Sequence, residues 1–418
     1  MILLAHATGN EFVRAALDAF DRAGMLAEFW TTLNWNAGSA INSALPPRLR
    51  ETLRRRAFSE SIRSRTRTVP FRETIRLLAG AIGLASKHEF GVFSIDSVLR
   101  EVDRKVAERV RKIGPPSQSY GAASNIDSVY AYEDGALETF RAAQTRGFKR
   151  VYDLPIAYWQ TSRRLLREEA ERYPDWEPTL IGTSDSDEKL ARKTEELELA
   201  QLVVCPSNFV LESLPANARA QKKCIVAPFG SPDLDLSVSP DPKSGRLRVL
   251  FAGAMTQRKG LADLFAAMKL IDSKQIELVV MGSLLRPLPW YRERFADFVY
   301  ETPRPHGEVL RLMQSCDVLV LPSIVEGRAL VQQEAMACGL PVIATKNAGA
   351  DDVIIDGENG FLVPIRSPEA IADKINWCAG NRSLLAGMGI AAKKRAAEFT
   401  WRAYGETIVS AVCALTSP

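Results

Sequence analysis

Two glutamates eight positions apart, Glu326 and Glu334, mark the stretch of this chain best suited to chemistry. The apolar run Asp317–Leu321 precedes the first of them. Gly339 and Pro341 end the helix that should hold the second, as a glycine beyond a C-terminus followed by proline does. The segment therefore reads strand, loop, helix, strand, with Glu326 in the loop that leaves the first strand. In doubly wound sheets ligands bind outside the carboxyl ends of the strands, so Glu326 stands where a ligand would be. Lys259 holds the comparable place after the apolar run Val249–Gly253, just ahead of a helix whose free amides favour anions. One ammonium about 4 Å from an anion attracts it by roughly 4 kcal/mol at a surface-like dielectric.

These residues need a frame to bring them together. After residue 247, apolar runs at Val249–Gly253, Ile276–Gly282, Phe298–Tyr300, Val318–Leu321, Val342–Ala344 and Phe361–Val363 alternate with helical stretches. That alternation implies a parallel sheet covered on both faces. Leu261–Ile271 repeats its apolar residues with the period of a helix. The first half is less regular. Strands are expected at Ile2–Ala5, Glu28–Thr32, Ser128–Tyr132, Arg150–Leu154 and Leu202–Pro206, and helices from Glu11, over Gly135–Arg146 and over 188–199. Residues 46–113 read as an arginine-rich helical insertion broken at Pro70. Residues 231–247, with three prolines, read as a linker. The expected division is 1–230 with a C-terminal helix 402–418, the linker 231–247, and a second domain 248–401.

Several segments in order carry a resemblance. Phe251–Leu261, with Gly253, Lys259 and Gly260, looks like a strand–G-x5-KG segment. Ala200–Phe209, Ile225–Gly230, Asp356–Pro364 and Phe399–Trp401 follow or precede it at matching places around the Glu326-x7-Glu334 pair. Together they resemble the retaining glycosyltransferases of family 4, over about residues 200 to 401. The resemblance implies a GT-B architecture, two Rossmann-like α/β domains facing each other across a cleft. It also implies transfer of a sugar from a nucleotide-sugar donor to an acceptor hydroxyl with retained anomeric configuration. The second domain would hold the donor and the first the acceptor, and a final helix would cross back onto the first domain.

On that pattern Lys259 and Arg258 would stabilise the departing phosphate, since a guanidinium grips phosphate oxygens with two N–H groups. Glu326 would contact the sugar, helped by the amides of Arg328, Ala329 and Leu330. Glu334 would accept from the ribose hydroxyls. Gly253 and the loop residues Gly9 and Asn10 would let backbone approach the donor phosphate; many α/β domains begin this way with no ligand there. The chain departs from the pattern in three places. Ala254 stands where the family has an arginine, with Arg258 expected to compensate, and Ala329 stands where glycine is common. No histidine ends the strand that finishes at Tyr152–Pro155, so Asp153 or His6 would take part of that role; His88 and His306 read as surface or cap histidines. Glu133 and Asp134 have two readings, as caps for the following helix or as groups facing the acceptor. Asp185-Ser186-Asp187 reads as a helix N-cap cluster, so no metal is implied and no cofactor beyond the nucleotide-sugar substrate.

At 418 residues the chain can hold two cores, and 46% hydrophobic with 25% charged residues is ordinary for a globular protein. No run reaches the roughly 18–20 apolar residues of a membrane span. The N-terminus reads as a strand, not as a signal peptide. Six scattered cysteines with no C-x2-C pair read as reduced core residues of a cytoplasmic protein. The net charge is +4, but Arg48 to Arg76 holds ten arginines against Glu51, Glu60 and Glu73. That stretch is either a solvated face or a contact with an anionic partner, such as lipid headgroups or a phosphorylated acceptor, peripheral on the inner face of a membrane. Nucleic acid is disfavoured, because few aromatics lie there to stack on bases.

The expected function is a retaining, metal-independent glycosyltransferase acting on a glycan or lipid-linked glycan in cell-surface polysaccharide or glycoconjugate synthesis. The alternatives are a nucleotide-sugar epimerase on a similar fold and a catalytically inactive relative that binds nucleotide sugar. A glycosidase is disfavoured, because the lysine and the helix start suit a phosphate leaving group.

Overall fold

The computed structural model describes residues 1–36, 50, 53–54, 56–81, 88–113, 126–232, 234, 245–271 and 274–416. Most of the linker expected at 231–247, and the Arg48 end of the arginine-rich stretch, lie outside the described residues.

Thirteen strands among the described residues make two sheets. The first holds β1 (Ile2–Ala5), β2 (Leu26–Thr31), β3 (Thr66–Thr68), β4 (Ser128–Tyr132), β5 (Lys149–Asp153), β6 (Leu202–Cys205) and β7 (Lys223–Val226). Their order is β3-β2-β1-β4-β5-β6-β7, parallel throughout. The second holds β8 (Leu247–Ala252), β9 (Ile276–Met281), β10 (Val299–Glu301), β11 (Val318–Leu321), β12 (Val342–Ala344) and β13 (Gly360–Leu362). Their order is β10-β9-β8-β11-β12-β13, also parallel. Both are Rossmann-like sheets, the α/β class expected. Successive residues of one strand feed opposite cores, as the pleat requires: Ile2 and Leu4 enter one apolar cluster, Leu3 and Ala5 another.

The stretch 46–113 is not an all-helical insertion. β3 lies within it, pairing Phe29, Trp30 and Thr31 of β2 with Thr66, Arg67 and Thr68. The helix Ile95–Lys112 that follows buries Val98, Val102, Val106 and Val110 in the core of the first sheet. The arginines there are largely engaged: Arg56 and Arg76 with Glu73, Arg63 with Glu60, Arg65 with Asp21.

Each sheet changes direction between two strands, β1 and β4 in the first and β8 and β11 in the second. Loops leaving such neighbours diverge and open a crevice. The helix Trp159–Arg172 joins the two halves. Its Leu165 and Leu166 pack against Ile324 and Val325. Its buried Glu169 accepts from Gln257 Nε2 at 2.7 Å and from the Arg366 guanidinium, and Arg172 donates to Asp263 at 2.6 Å. The last helix, Trp401–Thr416, returns to the first sheet. There Gly405 sits so close to Ala19 that an added Cβ would lie 2.5 Å from the alanine's own.

Candidate functional site

Lys259 and Glu326 come from the two loops that diverge at the β8–β11 switch. Lys259 ends a short turn, Gln257–Lys259, ahead of the helix Leu261–Leu270. The turn is fixed from both sides. Thr256 Oγ1 donates to the Thr179 carbonyl at 2.6 Å, and Gln257 Oε1 accepts the Ala262 amide at 2.8 Å. The Ile324 amide then bonds the Arg258 carbonyl at 2.9 Å, stitching the two loops together. Lys259 Nζ reaches Glu326 Oε1 at 2.5 Å, and Arg258 Nη1 reaches the same oxygen at 3.0 Å. Burial would raise the Glu326 carboxyl, but Lys259 and Arg258 together hold it below the usual range. Both cations therefore converge on one ionised carboxylate.

Gly253 and Gly327 make this closeness possible. Gly253 has φ of +144°, and a Cβ there would lie 2.8 Å from Lys259 Cδ. At Gly327 a Cβ would lie 1.7 Å from the Pro155 carbonyl oxygen, where backbones of the two halves meet. Beside it Ser207 Oγ donates to the Gly327 carbonyl at 2.7 Å, and the Ala157 amide to the Glu326 carbonyl at 3.3 Å.

A cavity of about 370 Å³ opens above these groups. The second half lines it with Gly253, Lys259, Glu326 and Glu334, and the first half with Phe12, Pro155 and Phe229. Phe12 and Phe229 stack with ring centres 5.1 Å apart. Arg328, Ala329 and Leu330 also line it. The Ala329 amide is already engaged, donating to the Ala348 carbonyl at 3.1 Å, so it is not available to a ligand. Leu330 opens the helix Leu330–Ala337, whose first amides lack intrahelical partners. The Arg328 side chain is withdrawn into the protein. It forks onto Asp352 at 2.7 and 2.8 Å and bonds Gln333 Oε1 at 3.1 Å. It fastens the loop that carries Glu326.

Gly9 and Asn10 are not among the lining residues. Gly9 gives its carbonyl to Arg14 Nε at 2.9 Å and lies against Phe58. Asn10 is the exposed N-cap of the helix Glu11–Arg22, and Phe12 of its first turn reaches the cavity instead. An aromatic in that turn carries no motif, which is why the sequence pointed to the glycine.

Neither substitute for the missing histidine lines the cavity either. His6 accepts the Thr8 amide at Nδ1, 2.9 Å away, and its ring meets Tyr132 edge-on at 4.7 Å. Burial drops its pKa to about 4, so it is neutral. Asp153 is buried and accepts from the Tyr130 hydroxyl at 2.6 Å and the Tyr404 hydroxyl at 3.2 Å. Tyr404 belongs to the returning C-terminal helix, so Asp153 anchors that helix. Burial pushes the Asp153 carboxyl up to about 7, although both hydroxyls pull it down.

This gives a stability prediction. The folded state holds the Asp153 proton more tightly than the unfolded chain, where the carboxyl titrates near its ordinary value of about 4. The group therefore costs nothing below that value, and its cost grows as pH rises through about 7. Asp153→Asn keeps an acceptor oxygen and cannot ionise. Its urea unfolding free energy, relative to wild type, should gain on the order of 2–4 kcal/mol between roughly pH 4.5 and 8. A difference that does not change with pH would refute this.

Glu133 and Asp134 do not cap the next helix. Glu196 takes the Asp134 and Ala136 amides at 3.0 Å each, and Asp103 takes those of Glu138 and Thr139 at 2.8 Å each. Glu133 instead pairs with Lys193 at 3.4 Å, and Asp134 with Arg192 at 3.4 Å. Nor does either line the cavity. In the Asp185–Asp187 cluster, Ser186 is the N-cap, accepting the Lys189 amide at 3.2 Å. Asp185 pairs with Lys189 at 3.0 Å. Among the described residues no group of three or more His, Cys, Asp or Glu is placed to hold a metal ion.

His306, read as a surface or cap histidine, is exposed and opens the helix His306–Gln314, but its Nε2 also lies 3.0 Å from Oε1 of Glu334, which lines the cavity, a contact that sequence reading missed. Burial raises the Glu334 carboxyl, and His306 opposes the rise.

Comparison with known proteins agrees with this geometry. Residues 236–395 match the family of glycosyl transferases group 1. An uncharacterized glycosyltransferase of Methanocaldococcus jannaschii is 30% identical over 201 residues, which is 48% of this chain and 55% of that protein. The D-inositol 3-phosphate glycosyltransferase of Corynebacterium diphtheriae is 38% identical over 120 residues, 29% of this chain and 27% of that one. The chain thus spans about half the length, or less, of these curated relatives. The solved structure of HepE from Anabaena in complex with UDP-glucose superposes with a TM-score of 0.62 at 16% identity, covering 99% of each chain. Fold, switch-point site and family match coincide: residues 236–395 match glycosyl transferases group 1, and the two Rossmann-like sheets share the fold of the HepE structure.

Proposed function

We propose that this protein transfers a hexose-like sugar from a nucleotide-sugar donor to an acceptor hydroxyl, with retained anomeric configuration and without a metal ion. The observation that carries the reading is the meeting of Lys259, Arg258 and Glu326 at the second sheet's switch point, with Glu334 facing the same cavity. The donor diphosphate takes over the two cations that contact Glu326. Glu326 is then released to the sugar, and Glu334 accepts from the ribose. As the bond from the sugar's anomeric carbon to phosphate oxygen breaks, Lys259 and Arg258 stabilise the charge that builds on that oxygen. The acceptor oxygen bonds the anomeric carbon on the face the phosphate is leaving. Its proton passes to that phosphate, and nucleoside diphosphate departs.

Nucleotide release from a donor panel, with UDP-sugars first, tests this with and without glycan acceptors. Acceptor-stimulated release with retained product stereochemistry by NMR, undiminished by a chelator, is the expected result. Sugar interconversion without release would instead make the protein an epimerase, and binding without turnover a catalytically inactive relative.

We further propose a cytoplasmic protein that uses a glycan or lipid-linked acceptor for cell-surface polysaccharide or glycoconjugate synthesis and meets an anionic membrane surface peripherally. Among the described residues no helix is long and apolar enough to cross a membrane. Support for membrane contact comes from Phe71, Phe90 and Val92, which are 65%, 67% and 61% exposed. They belong to segments joined by a 2.9 Å bond from Arg72 to the Val92 carbonyl. Flotation with phosphatidylglycerol vesicles should recover the wild-type protein and lose a Phe90→Ser, Val92→Ser double variant. Equal recovery of both would remove these side chains from the reading, and failure of the wild type to float would remove the membrane.

A further inference from the structure

His306 opens the helix His306–Gln314, which follows β10. Its ring bridges 28 positions of chain to Glu334 on the helix Leu330–Ala337, with Nε2 and Oε1 3.0 Å apart. An ionised carboxylate can only accept, so Nε2 supplies the hydrogen. The second oxygen of Glu334 has no hydrogen-bond partner among the described residues, and Glu334 lines the cavity. Val309, one turn beyond His306, lines it too. From the facing half, the Glu11 carboxylate repels Glu334. A mostly buried carboxylate facing a like charge turns away or takes up a proton unless a donor holds it. His306 is that donor.

We infer that His306 is a positioning residue: by holding one oxygen of Glu334 it aims the other at the ribose of the donor, so that the pair favours ribonucleotides over deoxyribonucleotides. The inference rests on the reading of the cavity as a nucleotide-sugar site. It goes beyond that reading by assigning the selectivity to a two-residue unit. A site built to bond a hydroxyl rejects the analogue that lacks it, because its own polar atom is then left unpaired. That selectivity requires the carboxylate to be fixed before the ligand arrives.

Calorimetric binding of UDP, GDP and ADP, each beside its 2′-deoxy form, tests the unit in wild type, His306→Phe, His306→Gln and Glu334→Ala. His306→Phe should weaken the ribonucleotide about tenfold and the deoxy form much less, which is the loss of one charge-assisted hydrogen bond. His306→Gln, whose amide nitrogen reaches the same oxygen, should recover most of the loss. On the Glu334→Ala background, His306→Phe should add nothing. In turnover the loss should fall on the donor KM rather than on kcat. Equal weakening of both nucleotide forms, no weakening, or an undiminished effect without Glu334 would each overturn the inference. If the wild type binds none of these nucleotides, the reading of the cavity falls and the inference with it. If it binds them and the variants do not separate the two forms, only the inference falls.

Discussion

Lys259→Ala should lower kcat for donor-dependent nucleotide release by about 10²–10³-fold, the usual consequence of removing one preorganised group from a developing anion. The ammonium sits in a turn fixed by Thr256 and Gln257, so once the diphosphate has taken it from Glu326 little further reorganisation is needed as charge builds. The fold should tolerate the change. Arg258 still reaches Glu326 at 3.0 Å, so the buried carboxylate keeps a cationic partner, and the melting temperature should move by only a few degrees. Lys259→Arg should not restore the rate. The lysine stem lies against Gly253, 2.8 Å from where a Cβ would stand, and a planar guanidinium needs more width than an ammonium. A Lys259→Ala enzyme within tenfold of wild-type kcat would remove the lysine from the chemistry.

The second large effect is expected from Gly327→Ala. The added methyl would start 1.7 Å from the Pro155 carbonyl oxygen, so the two segments must part by more than about an ångström before any contact is tolerable. The atoms that meet there are backbone from both halves, and neither can step aside as a flexible side chain would. Glu326 is the preceding residue, and the Pro155 loop lines the cavity opposite it. Misplacement of a reacting group by about 1 Å costs about 100-fold in rate, and kcat/KM for transfer should fall by at least that much. The sheets do not pass through this contact, so far-ultraviolet circular dichroism should be unchanged. Near-normal kcat/KM in the variant would show that the halves need not approach so closely during turnover.

The second half of the chain was readable because its strands are continuous apolar runs and its site residues follow strand ends at set spacings. Lys259, Glu326 and Glu334 meet at one cavity for that reason. β3 was not readable. Thr66-Arg67-Thr68 sits at a sheet edge with little apolar burial, so no hydrophobic period announces it. The same limit hid partners that only the fold brings together. Asp153 meets Tyr404 across 251 positions, and Glu196 caps a helix start 60 positions before it. Local spacing suggested that Glu133 and Asp134 would cap that helix, and a tertiary contact took the task instead. Arg328 shows a further limit. The sequence expects only its backbone amide near the ligand and gives its side chain no role, yet that side chain, buried against Asp352, braces the loop.

The contact around Glu169 restricts how such proteins can be recombined. Its carboxylate belongs to the amino-terminal lobe, while Gln257 and Arg366 belong to the other, and Asp263 answers Arg172 across the same seam. A chimera that grafts a foreign carboxy-terminal lobe onto this amino-terminal lobe would leave a desolvated carboxylate facing side chains of another lineage. Swaps that carry Gln257, Asp263 and Arg366 along as a set should give well-behaved hybrids, and swaps that break the set should give aggregates.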